Sequence, residues 1–409
     1  MSLCRYLPTP SDRMSVLWTL LSIEDSIVLE YGPAGTTHYS VGLFGSMGLE
    51  SEKRLYTTHM SEDDVVMGDV SRLENAIVEL DCAHRPKVIF VVASAITAVI
   101  GTDILGVCHY MQEKVSARLI PVDEGGCGCR GDYTAGLKTA YSLLAQALPN
   151  PSAEKRPVCN ILGASAGSFR IRSDVWELKD LLHRAFGLKA GAVLGLETSV
   201  EEIENLGAAA LNIVLRQEAL PAAKALQAQF GTPYVYSSPY GYNGTLTWLE
   251  EIGRALGTPP ERSVIRRLRE RAEEAGQIRM YVQMGRKKPC IAMVGEYEVV
   301  RGLSAFCGDL GLPIAHQICT HSLKDVSDVG EMVHYAKEGE RLTVLKSLRK
   351  GLLLADDVSA HVAADDNVYV CVSAPFFRHR QIATHLPIMG ERGADMLLEE
   401  IYRYLNVLN

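Results

Sequence analysis

The chain has no run of about twenty consecutive apolar residues, so it offers no helix that would span a bilayer. Its first residues, MSLCRYLPTPSDR, lack the apolar core of a signal peptide. A cytoplasmic protein with no membrane partner is therefore expected. Basic excess is also missing: 41 Lys and Arg stand against 49 Asp and Glu, a net charge of −8, which argues against nucleic acid as a partner. No G-x-x-x-x-G-K-[ST] occurs, although Gly163, Gly167 and Gly295 each follow an apolar run. ATP hydrolysis by this chain is accordingly not expected. Ten cysteines are present, but in a chain of 409 residues they make no disulfide framework.

What is present is the composition of an ordinary globular protein, 47% hydrophobic and 22% charged. The length exceeds what one hydrophobic core usually holds, so two or three domains are expected. Apolar runs of strand length alternate with amphipathic helices throughout, as in SIVLEYG (26–32), VIFVVASA (88–95), VCNILGASAG (158–167), LNIVLR (211–216) and KPCIAMVG (288–295). That alternation predicts an α/β protein built from parallel, doubly wound sheets. The Pro-rich stretch ALPNPSAEKRP (147–157) and the largely helical, charged stretch from Gly244 to about Met284, which includes PERSVIRRLRERAEEAG (260–276), suggest boundaries. They give a first α/β domain over residues 1–150, a second over 151–285 that ends in a solvated linker helix, and a third over 286–409.

Residues 88–132 hold the least ordinary sequence. They read as a buried strand, a loop opening a helix, a second strand (LIPVDE) and then Gly-Gly-Cys-Gly-Cys. Cysteines such as Cys290 and Cys371 sit among apolar residues and read as small core side chains. Cys127 and Cys129 do not, because their glycine neighbours allow unusual backbone angles and pack poorly. A Cys-x-Cys pair suits neighbouring metal or cluster atoms better than an internal disulfide; a Gly-rich turn with incidental thiols is the plain alternative. Elsewhere, Gly32, Pro33 and Gly35 predict a tight turn at a strand end, with His38 just beyond it as a proton donor, a ligand or a hydrogen-bonded structural residue. Glu124 fits either a carboxylate ligand or a capping group.

Taken in order, the motifs resemble the component 1 superfamily of nitrogenase and its relatives. They are the early Cys4, the G-P-x-G turn with Tyr39 and Ser40, S-E-x-D-V-V-x-G (61–68), I-G-x-D-I (100–104) and P-V-x…R-G (121–131). The resemblance implies three Rossmann-like domains and iron-sulfur chemistry. It also implies an interface cluster held by cysteines from three places of the first domain, of which Cys4 matches one while Thr36 and Ala95 stand at the other two. Cys127 and Cys129, on a loop that lies near that cluster in relatives, are the substitutes, so a [4Fe-4S] cluster on Cys4, Cys127 and Cys129 is expected. The second-domain cysteine that anchors the iron-molybdenum cofactor in nitrogenase corresponds to Arg216, and the nearest third-domain cofactor histidine is His385, so that cofactor is not expected. Arg216 suits bidentate capture of an anionic substrate or a place on the surface.

The resemblance further implies a cleft where the domains meet, with His38, Arg216 and His385 as candidate lining residues. It implies a homologous subunit as partner, in a homodimer or a hetero-oligomer, and an ATP-dependent iron-sulfur reductase. Three readings follow. The leading one is an oxidoreductase subunit that passes electrons from the reductase through the cluster to a substrate in the cleft. The alternatives are a non-catalytic scaffold for metallocluster assembly and a cluster-less binding subunit paired with a homologue.

Overall fold

The computed structural model describes residue 6 and residues 9–122, 131–151, 154–285, 287–324, 326, 334–335, 337–377 and 386–408. Cys4, Glu124, Cys127, Cys129 and His385 lie outside the described residues.

Three parallel sheets follow one another along the chain. The first has the spatial order Leu55–Thr57, Ser26–Tyr31, Val88–Ala93, Arg118–Val122. In the second the order is Tyr234–Tyr236, Ala209–Val214, Arg156–Leu162, Lys189–Leu194. In the third it is His334–Tyr335, Ile314–Cys319, Ile291–Gly295, Leu352–Ala355, Val368–Cys371. The expected doubly wound α/β architecture is present, and its cause is visible in the strands. Every residue of Ser26–Tyr31 and of Val88–Ala93 is buried, as a parallel strand covered on both faces requires.

Because successive side chains of a strand point to opposite faces, each central strand feeds two cores. Val28, Phe90 and Val92 join the large core that runs continuously into the second and third sheets. Their neighbours Ile27, Leu29, Ile89 and Val91 pack instead on Leu73, Ile77 and Leu80 of the helix Ser71–His84. The third sheet splits in the same way, with Ile291, Met293, Leu352 and Leu354 in the shared core and Ala292, Val294 and Leu353 in a separate one. The sheets thus turn one face each toward a common centre.

Two helices of the first segment line that centre. Asp12–Leu21 and Tyr133–Ala147 approach so closely that a Cβ on Gly136 would lie 1.9 Å from the Asp12 carbonyl oxygen, so only glycine fits there. On the other side of the Asp12–Leu21 helix, Trp18 packs against Gly167 of the second segment. A two-residue parallel pairing of Ile23–Glu24 with Thr198–Ser199 further joins the first segment to the second.

Two local readings change. The Gly-Pro turn is shorter than expected: Pro33 is the N-cap of the helix Ala34–Ser46, so Gly35 and His38 are helical. Gly32 is the residue that must be glycine, since its Cβ would meet Ser94 Cβ at 2.5 Å. The stretch after Gly244 is no solvated linker. Helix Gly241–Leu256 buries Trp248, Leu249 and Ile252 in the shared core. The charged helix Arg262–Gly276 buries Val264, Leu268 and Ala275, and it directs Arg267 and Arg271 to Glu391 and Asp395 of the last helix, Gly390–Leu408. Charge interleaving does not distinguish a water-facing helix from one whose arginines pair across a helix interface.

Candidate functional site

In open α/β sheets, ligands bind beyond the carboxyl ends of the strands. Here the second and third sheets direct those ends at each other, and the residues that follow the strands meet in one buried cleft. Gly163 and Ser168 follow Arg156–Leu162, Arg216 follows Ala209–Val214, Glu296 and Glu298 follow Ile291–Gly295, and Ser373 follows Val368–Cys371. Tyr141 from the first segment's helix Tyr133–Ala147 donates its hydroxyl to the Ala164 carbonyl, next to Gly163, at 2.8 Å. Nearby, Tyr133 sets its ring edge-on to His321 with centroids 5.7 Å apart.

At the centre is Arg216. Its side chain is 5% exposed, which excludes the surface position and leaves a charge that must be paired. Nε donates to Glu218 Oε2 at 2.8 Å, Nη1 donates to Ser168 Oγ at 3.3 Å, and Nη2 lies 3.6 Å from Glu296 Oε2. Ser168 Oγ also donates to Glu296, at 3.1 Å to Oε2. The local backbone permits this packing: Gly163 has φ +89°, and a Cβ there would lie 2.7 Å from Arg216 Cγ. Beside the pair, Glu298 Oε1 accepts from the Gln217 backbone N–H at 2.8 Å and from the Tyr236 hydroxyl at 3.1 Å.

Burial works against the arginine's charge, but Glu296 and Glu218 more than offset it and hold its pKa well above the ordinary value. Burial and the neighbouring Glu218 raise the pKa of Glu298, with Arg216 opposing. In this cluster Arg216 Nη2 and Glu218 Oε1 have no hydrogen-bond partner among the described residues.

A segment of the third part closes the cleft. Asp174, 1% exposed on the helix Ile171–Phe186, accepts the backbone N–H groups of Ile388 and Met389 through one oxygen, Oδ1, at 2.7 and 2.9 Å. Arg170 Nη1 donates to the Leu386 carbonyl at 2.8 Å, and the Gly390 N–H donates to Pro239 O at 2.8 Å. Ile388 and Met389 thereby form part of the cleft wall. Burial pushes the Asp174 carboxyl up to about 7, against the pull of the two backbone donors.

Of the candidate site residues read from sequence that the structure describes, Arg216 lies in this cleft and His38 does not. His38 is exposed on the helix Ala34–Ser46 and is not among the cleft-lining residues. His385, Cys4, Cys127 and Cys129 fall outside the described residues, so the expected [4Fe-4S] ligand set has no described geometry. Ala95, where the resemblance puts a cluster ligand, opens the helix Ala95–Ile100 behind its N-cap Ser94. Glu218, Glu296, Glu298, Asp174 and Ser168 were not anticipated. A signal for the glutamates was available: GEYE directly follows an apolar strand, and R-Q-E ends another.

A metallocluster of the kind the family carries does not fit this cleft. The free space is about 30 Å³, room for about two water molecules. Its polar lining is carboxylate, hydroxyl and guanidinium, with no cysteine among the lining residues, whereas iron-sulfur clusters are held by thiolates. Among the described residues no group of three or more His, Cys, Asp or Glu is placed to hold a metal ion. No described helix is long and apolar enough to cross a membrane.

Comparison with known proteins places these features. The model of the family described as nitrogenase component 1 type oxidoreductase matches residues 11–406. Over 400 residues the chain is 28% identical to the nitrogenase iron-molybdenum cofactor biosynthesis protein NifE of Nostoc sp., a match covering 95% of this chain and 81% of that protein. It is 34% identical over 239 residues to the NifE protein of Clostridium pasteurianum, covering 58% of this chain and about half (51%) of that relative. It is also 26% identical over 249 residues to the nitrogenase molybdenum-iron protein alpha chain of the same organism, covering 58% and 45%. In fold it is similar to the solved structure titled "Nitrogenase Cp1 at pH 6.5", with a TM-score of 0.79 at 17% identity over 99% of this chain and 94% of that one.

Proposed function

The chain belongs to the nitrogenase component 1 type oxidoreductase family, and from that premise we propose that it serves as a scaffold subunit in metallocluster assembly. This displaces the leading sequence reading, an electron-passing reductase with substrate in the cleft. The observation that carries the proposal is the near full-length similarity to a protein named for cofactor biosynthesis, 400 residues aligned with the Nostoc NifE protein. The cleft supports it from the other side. A substrate awaiting electrons needs room, and Arg216 with its carboxylates leaves about 30 Å³.

In this reading the cargo is held by thiolates, with Cys4, Cys127 and Cys129 as the ligands of a [4Fe-4S] cluster. A homologous subunit is the partner that membership of the family suggests. An ATP-dependent iron-sulfur reductase and a cytoplasmic location complete the proposal. The test is anaerobic purification with iron and sulfide analysis of the wild type and of a Cys127→Ser, Cys129→Ser variant. Iron and sulfide in the wild type that the double variant loses support the assignment, and equal content in both sinks it. Reduction of a small substrate by the chain and a reductase partner, with turnover sensitive to cleft substitutions, would restore the electron-passing reading.

A further inference from the structure

The junction of the second and third sheets is where a family member would be expected to keep a large ligand, and its residues do not suit one. We infer that in this chain the junction is filled by an ion-pair plug that leaves room for no ligand larger than a pair of water molecules, and that Arg216 is its keystone.

The plug is built from both halves of the cleft. Arg216 Nε holds Glu218, its Nη2 faces Glu296, and Ser168 bridges the arginine and Glu296. Glu298 bonds the backbone beside the arginine and the Tyr236 hydroxyl. Arg216 and Glu218 are each 4% exposed, so pairing with each other and with Glu296 is what makes their burial tolerable. A thiolate at position 216 would leave space for a ligand and present a soft donor. The guanidinium instead fills the space and presents only hard donors, one of them, Nη2, without a hydrogen bond. The strap 386–390, held by Asp174, Arg170 and the Pro239 carbonyl, closes the cleft over the plug. The void of about 30 Å³ that Arg216 helps to line has room for about two water molecules.

This inference is independent of the scaffold reading, because a filled junction says where cargo is not held and says nothing of whether the chain holds any. Its test is the reactivity of a thiol placed in the wall. Ser373 is 2% exposed and lines the cleft, and Ser373→Cys changes its volume little. The full-length variant is treated anaerobically with iodoacetamide, and labelling at each cysteine is followed by peptide mass spectrometry. Cys82, which is exposed, reports open reactivity, and Cys159, which is buried, reports a closed core.

The plug predicts that the introduced thiol reacts at least about 100-fold more slowly than Cys82, at a rate like that of Cys159, because labelling must wait for local opening. Adding Arg216→Ala to the same variant is expected to raise the rate at the introduced thiol at least tenfold while Cys159 stays protected. An introduced thiol that reacts within about tenfold of Cys82 while Arg216 is in place would overturn the inference. If the Arg216→Ala chain does not fold, Glu296→Gln, which keeps the shape and removes one charge of the plug, takes its place with the same expected increase. An unchanged rate at the introduced thiol in every cleft variant that folds would show that Arg216 is not the keystone. Iron content measured in parallel keeps the two claims apart: iron lost only on Cys127→Ser, Cys129→Ser leaves the plug and the scaffold reading standing, whereas iron lost on cleft substitution contradicts the plug alone.

Discussion

Replacing Asp174 by asparagine isolates the cost of a buried carboxylate. Both strap N–H groups reach the same oxygen, Oδ1, so an asparagine carbonyl oxygen in that place keeps both bonds. What changes is ionisation. Desolvation holds the Asp174 carboxyl at about 7 against its ordinary 3.8, opposed by the Met389 and Ile388 donors and by Arg170, while Glu177 adds to the rise. A carboxyl that binds its proton more tightly when folded stabilises the fold below pH 3.8 and loses that contribution progressively as the pH climbs to about 7, after which the loss is complete. Roughly three pH units at about 1.4 kcal/mol each give an upper limit of roughly 4 kcal/mol. Guanidinium unfolding followed by tryptophan fluorescence, run on both proteins from pH 4.5 to 8.5, measures it. The asparagine variant is expected to exceed the wild type by about 1 kcal/mol at pH 4.5 and increasingly up to pH 7, with a constant gap above. A gap that does not change with pH would show that Asp174 ionises ordinarily. A variant less stable than the wild type at pH 8 would show that the ionised carboxylate stabilises the strap more than its burial costs.

Other substitutions test the packing around the cleft. Gly136→Ala should force the helices Asp12–Leu21 and Tyr133–Ala147 apart, since the new Cβ would overlap the Asp12 carbonyl oxygen; a loss of about 1–3 kcal/mol or more in unfolding free energy is expected. Trp248→Ala removes a fully buried indole from the helix first read as linker and should cost about 3–5 kcal/mol, whereas a truly solvated helix would give less than about 0.5 kcal/mol. Glu391→Ala leaves Arg184 and Arg267 without their common partner. Because both arginines retain access to water, the cost should stay near 1–3 kcal/mol and appear as a lower unfolding midpoint.

The strands were legible because burial on both faces leaves a continuous apolar run, as in Val88–Ala93 and Ile291–Gly295. The division into three α/β units was legible in the strand–helix alternation and its boundary stretches, and the family resemblance, carried mostly by first-segment motifs, implied it as well. The site was less legible. Arg216 could be named from its place after LNIVL, but its partners lie 2, 48 and 80 residues away and converge only through the sheets. Sequence also places no limit on how a charged helix spends its arginines: Arg267 and Arg271 pair with Glu391 and Asp395, more than 120 residues on. Glycine meanings divided in the same way. Gly32 and Gly163 were noted as strand-end residues, and each is needed because another residue, Ser94 or Arg216, occupies the space a Cβ would take.

The central claim is that this chain carries cargo for assembly rather than passing electrons to a substrate, and iron hand-off tests it most directly. The anaerobically purified chain, together with a homologous partner subunit, is loaded with ⁵⁵Fe and sulfide, separated from free iron and mixed with a cofactor-deficient nitrogenase component 1. The account predicts that label moves to the acceptor and that the Cys127→Ser, Cys129→Ser variant transfers none. Label that stays on the chain while an added ATP-dependent reductase drives substrate reduction would contradict it.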